Sequence, residues 1–202
     1  TGAKYAVAFS SGTTALHAAY FAAGIGPGDE VIVPALTFAA TANAALYLGA
    51  KPVFADVSLE TGNIDIADAE KKITKRTKAI IPVDYGGRPA DVRGVRALAR
   101  KHGILFIEDA AQGLGASYRG KSLGTQADMA MFSFHPVKSI TTGEGGAVTT
   151  NDKKFYESMR LFRTHGIAKN ARPFKRKGMA AWYQEMQVLG NNYRLTDIQA
   201  AL

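Results

Sequence analysis

The chain contains no cysteine in 202 residues. Disulfides and thiolate metal sites are therefore excluded. No apolar run approaches the roughly 20 residues of a membrane-spanning helix. The alanine-rich stretch 35–50 comes nearest, and Thr37, Thr41 and Asn43 interrupt it. There is no internal repeat, no low-complexity segment and no visible signal peptide, so the expected setting is cytoplasmic, with no membrane partner. Acidic residues are in the minority, 17 against 25 lysines and arginines, for a formal charge of +8. Much of the excess lies in K-N-A-R-P-F-K-R-K at 169–177. A solvated loop explains such a run, and a phosphate-rich ligand is the sharper alternative. Nucleic acid is not expected as a partner, because no helix-turn-helix, zinc or RNP pattern accompanies the charge.

What is present is an alternation of short apolar runs with helical patterns. Strand-like segments fall at 7–9, 31–33, 52–57, 78–83, 104–107, 129–134 and 147–150, with helices expected at 15–23, from 37 to near 49, 67–73, 91–102 and 152–164. A last helix opens with the capping box Thr196-Asp197-Ile198-Gln199. Strands alternating with helices predict an α/β fold around a mainly parallel central sheet flanked by helices. In such sheets ligands sit beyond the carboxyl ends of the strands.

The stretch 128–146, D-M-A-M-F-S-F-H-P-V-K-S-I-T-T-G-E-G-G, carries the sharpest chemical signal. A buried strand runs into a polar turn that offers one lysine, Lys138, and then into a glycine loop. That placement suits an amine holding an aldehyde cofactor as a Schiff base. Pyridoxal phosphate needs a lysine, a carboxylate for its pyridine nitrogen, backbone N–H groups and hydroxyls for its phosphate, and an apolar or aromatic platform. Lys138 offers the amine and Asp109, just after the 104–107 run, the carboxylate. Gly12, Thr13 and Thr14 at the start of the first helix, with Ser133, form a candidate phosphate cradle. Phe38 is the candidate ring platform. Each residue also has a bland reading: a surface lysine, a capping aspartate, a serine or threonine N-cap, a core phenylalanine. Spacing alone does not separate this site from a nucleotide site.

The motifs S-S-G-T-T-A-L, V-P-A-L-T-F-A-A-T-A-N-A, I-E-D-A-A-Q, F-S-F-H-P-V-K-S-I-T-T-G-E-G-G and N-Y-R-L-T-D-I-Q-A-A-L occur in that order. Together they resemble the sugar-nucleotide aminotransferases of the DegT/DnrJ/EryC1/StrS family, across essentially the whole chain. The resemblance implies a PLP-dependent transferase of fold type I, with residues 1–202 forming most of the large, cofactor-binding domain. On that expectation the chain is a piece of a longer protein, and an N-terminal segment and a smaller C-terminal domain lie outside it.

It further implies that Lys138 binds the cofactor and shuttles the proton, that Asp109 pairs with the pyridinium, and that Gln112 contacts the ring near its hydroxyl. Thr13, Thr14 and Ser133 are expected to hold the phosphate and Phe38 to stack on the ring. Asn192 is expected to reach the phosphate of a neighbouring subunit, hence a homodimer with shared active sites. No metal is expected.

Within the family, F-H-P-V-K-S-I-T-T-G-E-G-G with D-Y-G-G-R-P-A-D is most similar to the enzymes of pseudaminic acid synthesis. Those aminate C4 of a UDP-linked 4-keto-6-deoxy-N-acetylhexosamine with L-glutamate as donor. A 3-keto-sugar aminotransferase is the related alternative, and a catalytically silent fragment acting in dimerisation or binding is another. A subgroup with histidine in place of the lysine performs dehydration, and Lys138 argues against it. His135 is expected to pack or to position its loop.

Overall fold

The computed structural model describes residues 1–168, 175–176, 178, 180 and 182–202. In chain order the elements are β1 (Tyr5–Phe9), α1 (Gly12–Ala22), β2 (Glu30–Pro34), α2 (Ala39–Leu46), β3 (Lys51–Ala55), α3 (Ile66–Lys71) and β4 (Thr77–Ile80). There follow a 3-10 turn (Tyr85–Gly87), α4 (Val92–His102), β5 (Leu105–Asp109), β6 (Ser117–Tyr118), β7 (Lys121–Ser122), β8 (Met129–Ser133), β9 (Gly146–Thr150) and α5 (Lys153–Phe162). The last are β10 (Ile167–Ala168), β11 (Glu185–Met186) and α6 (Asp197–Ala200). The basic stretch at 169–177 lies outside the described residues except for Lys175 and Arg176, whose backbone N–H groups donate to the Glu185 carboxylate.

Seven strands form one sheet in the order β1-β9-β8-β5-β4-β2-β3. β3, β2, β4, β5 and β8 pair in parallel. β9 pairs antiparallel with both β8 and β1, so β9 alone runs against the others. The sheet is thus mainly parallel, as expected.

Helices cover both faces, which is why the strands read as continuous apolar runs. Within β8, Met129 and Met131 pack with α1, while Ala130 and Phe132 join the α4 residues Val95 and Leu98 on the opposite face. In β5, Ile107 lies on the α1 side and Phe106 on the α4 side. That two-residue alternation fixes the direction of every side chain at the ends of these strands.

Several boundaries differ from the sequence reading for identifiable reasons. β4 stops at Ile80, because Pro82 has no N–H for the ladder. The chain stays beside β5 all the same, with Pro82 accepting from the Asp109 N–H at 3.0 Å. β5 runs on through Glu108 and Asp109, which are buried rather than in a loop. The 117–122 hairpin was not expected. It turns through Arg119 and Gly120, both at positive φ (51° and 75°), as a tight two-residue connection requires. Gly103 ends α4 in the left-handed conformation, as its position after the periodic run predicts.

The glycine loop leaves no space beside Gly146: a Cβ there would lie 2.6 Å from the Ser11 carbonyl oxygen and 2.8 Å from the Gly12 nitrogen. The start of β9 therefore lies directly against the start of α1. Backbone cannot move aside as a flexible side chain can, so Gly146→Ala is expected to destabilise the fold by about 1–3 kcal/mol, read as a lowered urea midpoint with unchanged slope.

Candidate active site

The carboxyl ends of β1, β2, β4, β5 and β8 meet at one edge of the sheet, as the parallel topology demands. A cavity of about 770 Å³ opens there, lined by residues from each of these strand ends. Of the predicted site residues, Gly12, Thr13, Phe38, Asp109, Gln112, Ser133 and Lys138 line it together. Thr14 and Asn192 do not. The Thr14 hydroxyl donates to the Ser11 carbonyl at 2.9 Å and accepts from the Ser11 N–H at 3.0 Å, completing the capping box of α1. Asn192 bridges to Thr164, away from the cavity lining.

At the anion end, helix geometry leaves the first-turn N–H groups of Gly12 and Thr13 open, while that of Thr14 is taken by the Ser11 hydroxyl at 3.1 Å. Ser133 closes β8 on the α1 face. A Cβ at Gly12 would lie 3.0 Å from the Ser133 Oγ, so only glycine lets that hydroxyl sit against the helix start. Two backbone donors at a positive dipole end and one side-chain hydroxyl are groups that suit an anion such as phosphate.

Phe38 is the N-cap residue of α2 and is 79% exposed at the cavity, which dismisses the core reading. Gln112 turns its Oε1 to accept the Gly86 N–H at 2.8 Å, tying the β5 end to the 3-10 turn. Lys138 is half-buried, in a turn closed by its own N–H donating to the His135 carbonyl at 2.9 Å. His135 accepts from the Val137 N–H through Nδ1 at 3.4 Å. That contact supports its expected part in holding the lysine turn.

Asp109 is 4% exposed. Burial pushes its carboxyl up, opposed by the Thr41 hydroxyl, the Ala111 N–H and the nearby Lys138 amine. Thr41 donates to Oδ2 at 2.7 Å and Ala111 to Oδ1 at 3.2 Å. A buried carboxylate beside a cationic amine, with further charge to be met, suits a ligand that brings its own positive group. These contacts fit pyridoxal phosphate: acceptor at one end, anion cradle at the other, amine and aromatic between.

Sequence reasoning missed Thr37, Thr41, Tyr85 and Glu144, all lining the same cavity. It also missed the buried acids Asp84 and Glu108 behind it. The only signal for the two threonines was their spacing of four at a helix start, which places them on one face.

The match to known proteins is extensive. A model of the DegT/DnrJ/EryC1/StrS aminotransferase family matches residues 1–202. The chain belongs to this family. It is 50% identical over 201 residues to the GDP-perosamine synthase of Caulobacter vibrioides, covering 100% of this chain and 51% of that protein. Among solved structures it resembles Helicobacter pylori PseC, an aminotransferase involved in the biosynthesis of pseudoaminic acid, with TM-score 0.89 and 40% identity over 99% of this chain and 52% of that one. It also resembles the PLP-form of the putative sugar aminotransferase Spr1654 from Streptococcus pneumoniae, with TM-score 0.89, 30% identity, and coverage of 100% of this chain and 54% of that one. The chain spans about half the length of the relatives it matches. The fold is that of these aminotransferases, and among the described residues no helix is long and apolar enough to cross a membrane.

Burial and neighbouring Glu108 push Asp84 up to about 8, and burial pushes Glu108 up to about 7. Both acids bind protons more tightly folded than unfolded. Their stability contribution is full below the ordinary carboxylate value and is lost as pH rises through the folded values. Unfolding free energy is therefore expected to fall between about pH 4 and pH 8 from this source, and Asp84→Asn should flatten that slope and stabilise the protein above pH 8. Urea unfolding of both proteins at pH 6 and pH 9 checks the sign.

Proposed function

We propose that the protein of which this chain forms the large, cofactor-binding domain is a pyridoxal-phosphate-dependent aminotransferase acting on a nucleotide-linked keto-sugar, with L-glutamate as amino donor. The observation that carries this reading is the convergence of Lys138, Asp109, Gln112, Ser133, Gly12, Thr13 and Phe38 on one cavity at the strand ends. Chance surface residues would not share one wall in the order the chemistry needs.

Each residue then has a physical task. Gly12, Thr13 and Ser133 bind the phosphate and fix the cofactor's depth. Phe38 stacks on the ring, and Gln112 contacts it near its hydroxyl. Asp109 keeps a negative charge at the ring nitrogen. Lys138 holds the cofactor and afterwards carries a proton on Nζ. When bound, the cofactor supplies an electron sink for the carbon losing that proton.

For the sugar, the likeness to Helicobacter pylori PseC at 40% identity, with the motifs around Lys138, supports amination at C4 of a UDP-linked 4-keto-6-deoxy-N-acetylhexosamine. A second reading, in which the nucleotide is GDP, is favoured by the 50% identity with GDP-perosamine synthase. A homodimer with shared sites completes the proposal: Asn192 serves the partner's phosphate, and Phe38 and Val137, at 79% and 77% exposure, leave an apolar rim at the cavity for a second copy to cover.

Borohydride reduction of the cofactor-loaded full chain is expected to fix the cofactor's mass on the peptide carrying Lys138; labelling of another lysine overturns the assignment. Lys138→Ala and Asp109→Asn are each expected to lower kcat by at least about 10²–10⁴ with the fold intact by circular dichroism. Turnover on a panel of UDP-, GDP- and dTDP-linked keto-sugars separates the two sugar readings.

A further inference from the structure

Three carboxyls crowd the carboxyl ends of β4 and β5. Asp84, Glu108 and Asp109 are 0%, 0% and 4% exposed. Asp84 lies within electrostatic reach of both Glu108 and Asp109, and three full negative charges so placed in buried surroundings are prohibitively costly, so something must decide which acid carries one.

The hydrogen bonds differ among the three. Asp84 accepts from the Ala90 N–H through Oδ1 at 2.9 Å, and its buried Oδ2 has no partner. Glu108 accepts from the Gly124 N–H through Oε2 at 3.3 Å, and its buried Oε1 has none. Asp109 alone has a donor on each oxygen, and it alone receives a side-chain hydroxyl, from Thr41 at 2.7 Å. An ionised carboxylate is stabilised by donors on both oxygens, and of the three only Asp109 has them; a neutral carboxyl has less charge to be met, although its O–H in turn calls for an acceptor.

Thr41 is held firmly. It is 1% exposed, its carbonyl accepts the buried Tyr20 hydroxyl at 2.8 Å, and its Oγ1 lies 2.7 Å from the Thr37 Oγ1. A hydroxyl has one proton. With that of Thr41 given to Asp109, the Thr41 oxygen can accept only from Thr37, whose hydroxyl is shared between Thr41 at 2.7 Å and the Phe38 carbonyl at 3.3 Å; through the shorter contact the pair forms a chain from the cavity wall to the carboxylate.

We propose that Thr41 is the positioning residue that makes Asp109, among these three acids, the one that carries the negative charge. The groups around Asp109 are consistent with this. Tyr20 approaches from α1, Lys138 from the turn after β8, and Asp84 from the end of β4. Glu108 projects to the opposite face of β5, towards Arg96 of α4. Thr41 is the only hydroxyl donor bonded to any of the three carboxyls among the described residues. The consequence for the cofactor rests on the reading that Asp109 faces the ring nitrogen; the charge assignment itself does not.

The test uses the full chain freed of cofactor, with ¹³C-labelled aspartate carboxyls and the Asp109 signal assigned by its loss in Asp109→Asn. Thr41→Val is expected to move the Asp109 titration to higher pH, and Thr41→Ser to return it to the wild-type position. Pyridoxal phosphate affinity is expected to fall roughly tenfold or more in Thr41→Val and to recover in Thr41→Ser. Thr37→Val, which removes the donor to Thr41 together with the weaker contact to the Phe38 carbonyl, gives a smaller shift in the same direction and decides the matter alone if Thr41→Val does not fold. An Asp109 titration unmoved in the folded variants, or Thr41→Ser shifted as far as Thr41→Val, overturns the proposal. A shifted titration in a protein whose wild type binds no pyridoxal phosphate sinks the cofactor reading and leaves the role of Thr41 standing.

Discussion

Much of this structure depends on keeping one carboxylate, that of Asp109, charged inside a protein. β5 is central and buried on both faces, and its last residue is an acid. Left alone, such a group would take up a proton. The surrounding elements each contribute something against that outcome: α2 a hydroxyl, the backbone after β5 an N–H, and the turn after β8 an amine. The other two acids of the cluster each leave one buried oxygen without a partner. A site arranged in this way favours a ligand with a cationic nitrogen, and on the proposed reading its phosphate lies at the start of α1.

The topology makes this arrangement possible at small cost. Parallel strands bring five chain segments to one edge, so residues far apart in sequence meet there without long loops. Side-chain alternation then sorts them. Asp109 and Ser133 face the α1–α2 layer, where the cavity lies, and Glu108 faces the α4 layer. The antiparallel β9 closes the same edge, and Gly146 lets it lie against the start of α1, so the cradle is supported by packing from below.

Much of this was legible in the amino-acid sequence, and the rest was not for physical reasons. The strands showed because a sheet buried on both faces demands uninterrupted apolar runs. Lys138 showed because an amine beside a buried strand needs a partner. The extension of β5 through Glu108 and Asp109 did not show, since two acids in a row look like the start of a loop and only the neighbours on both sides make them strand. Thr41 did not show either: within an alanine-rich helix its hydroxyl looks like a polar interruption, and only the fold reveals the carboxylate 68 residues away that it serves. Phe38 was ambiguous until its exposure placed it at the cavity rather than in the core.

The central claim is that Asp109 presents a negative charge to the ring nitrogen of the bound cofactor. The ¹⁵N chemical shift of ring-labelled pyridoxal phosphate bound to the full chain tests it directly. The account predicts a protonated, pyridinium-type nitrogen in the wild type and a neutral pyridine-type nitrogen in Asp109→Asn. The same shift in both proteins, with the cofactor bound in each, would contradict it.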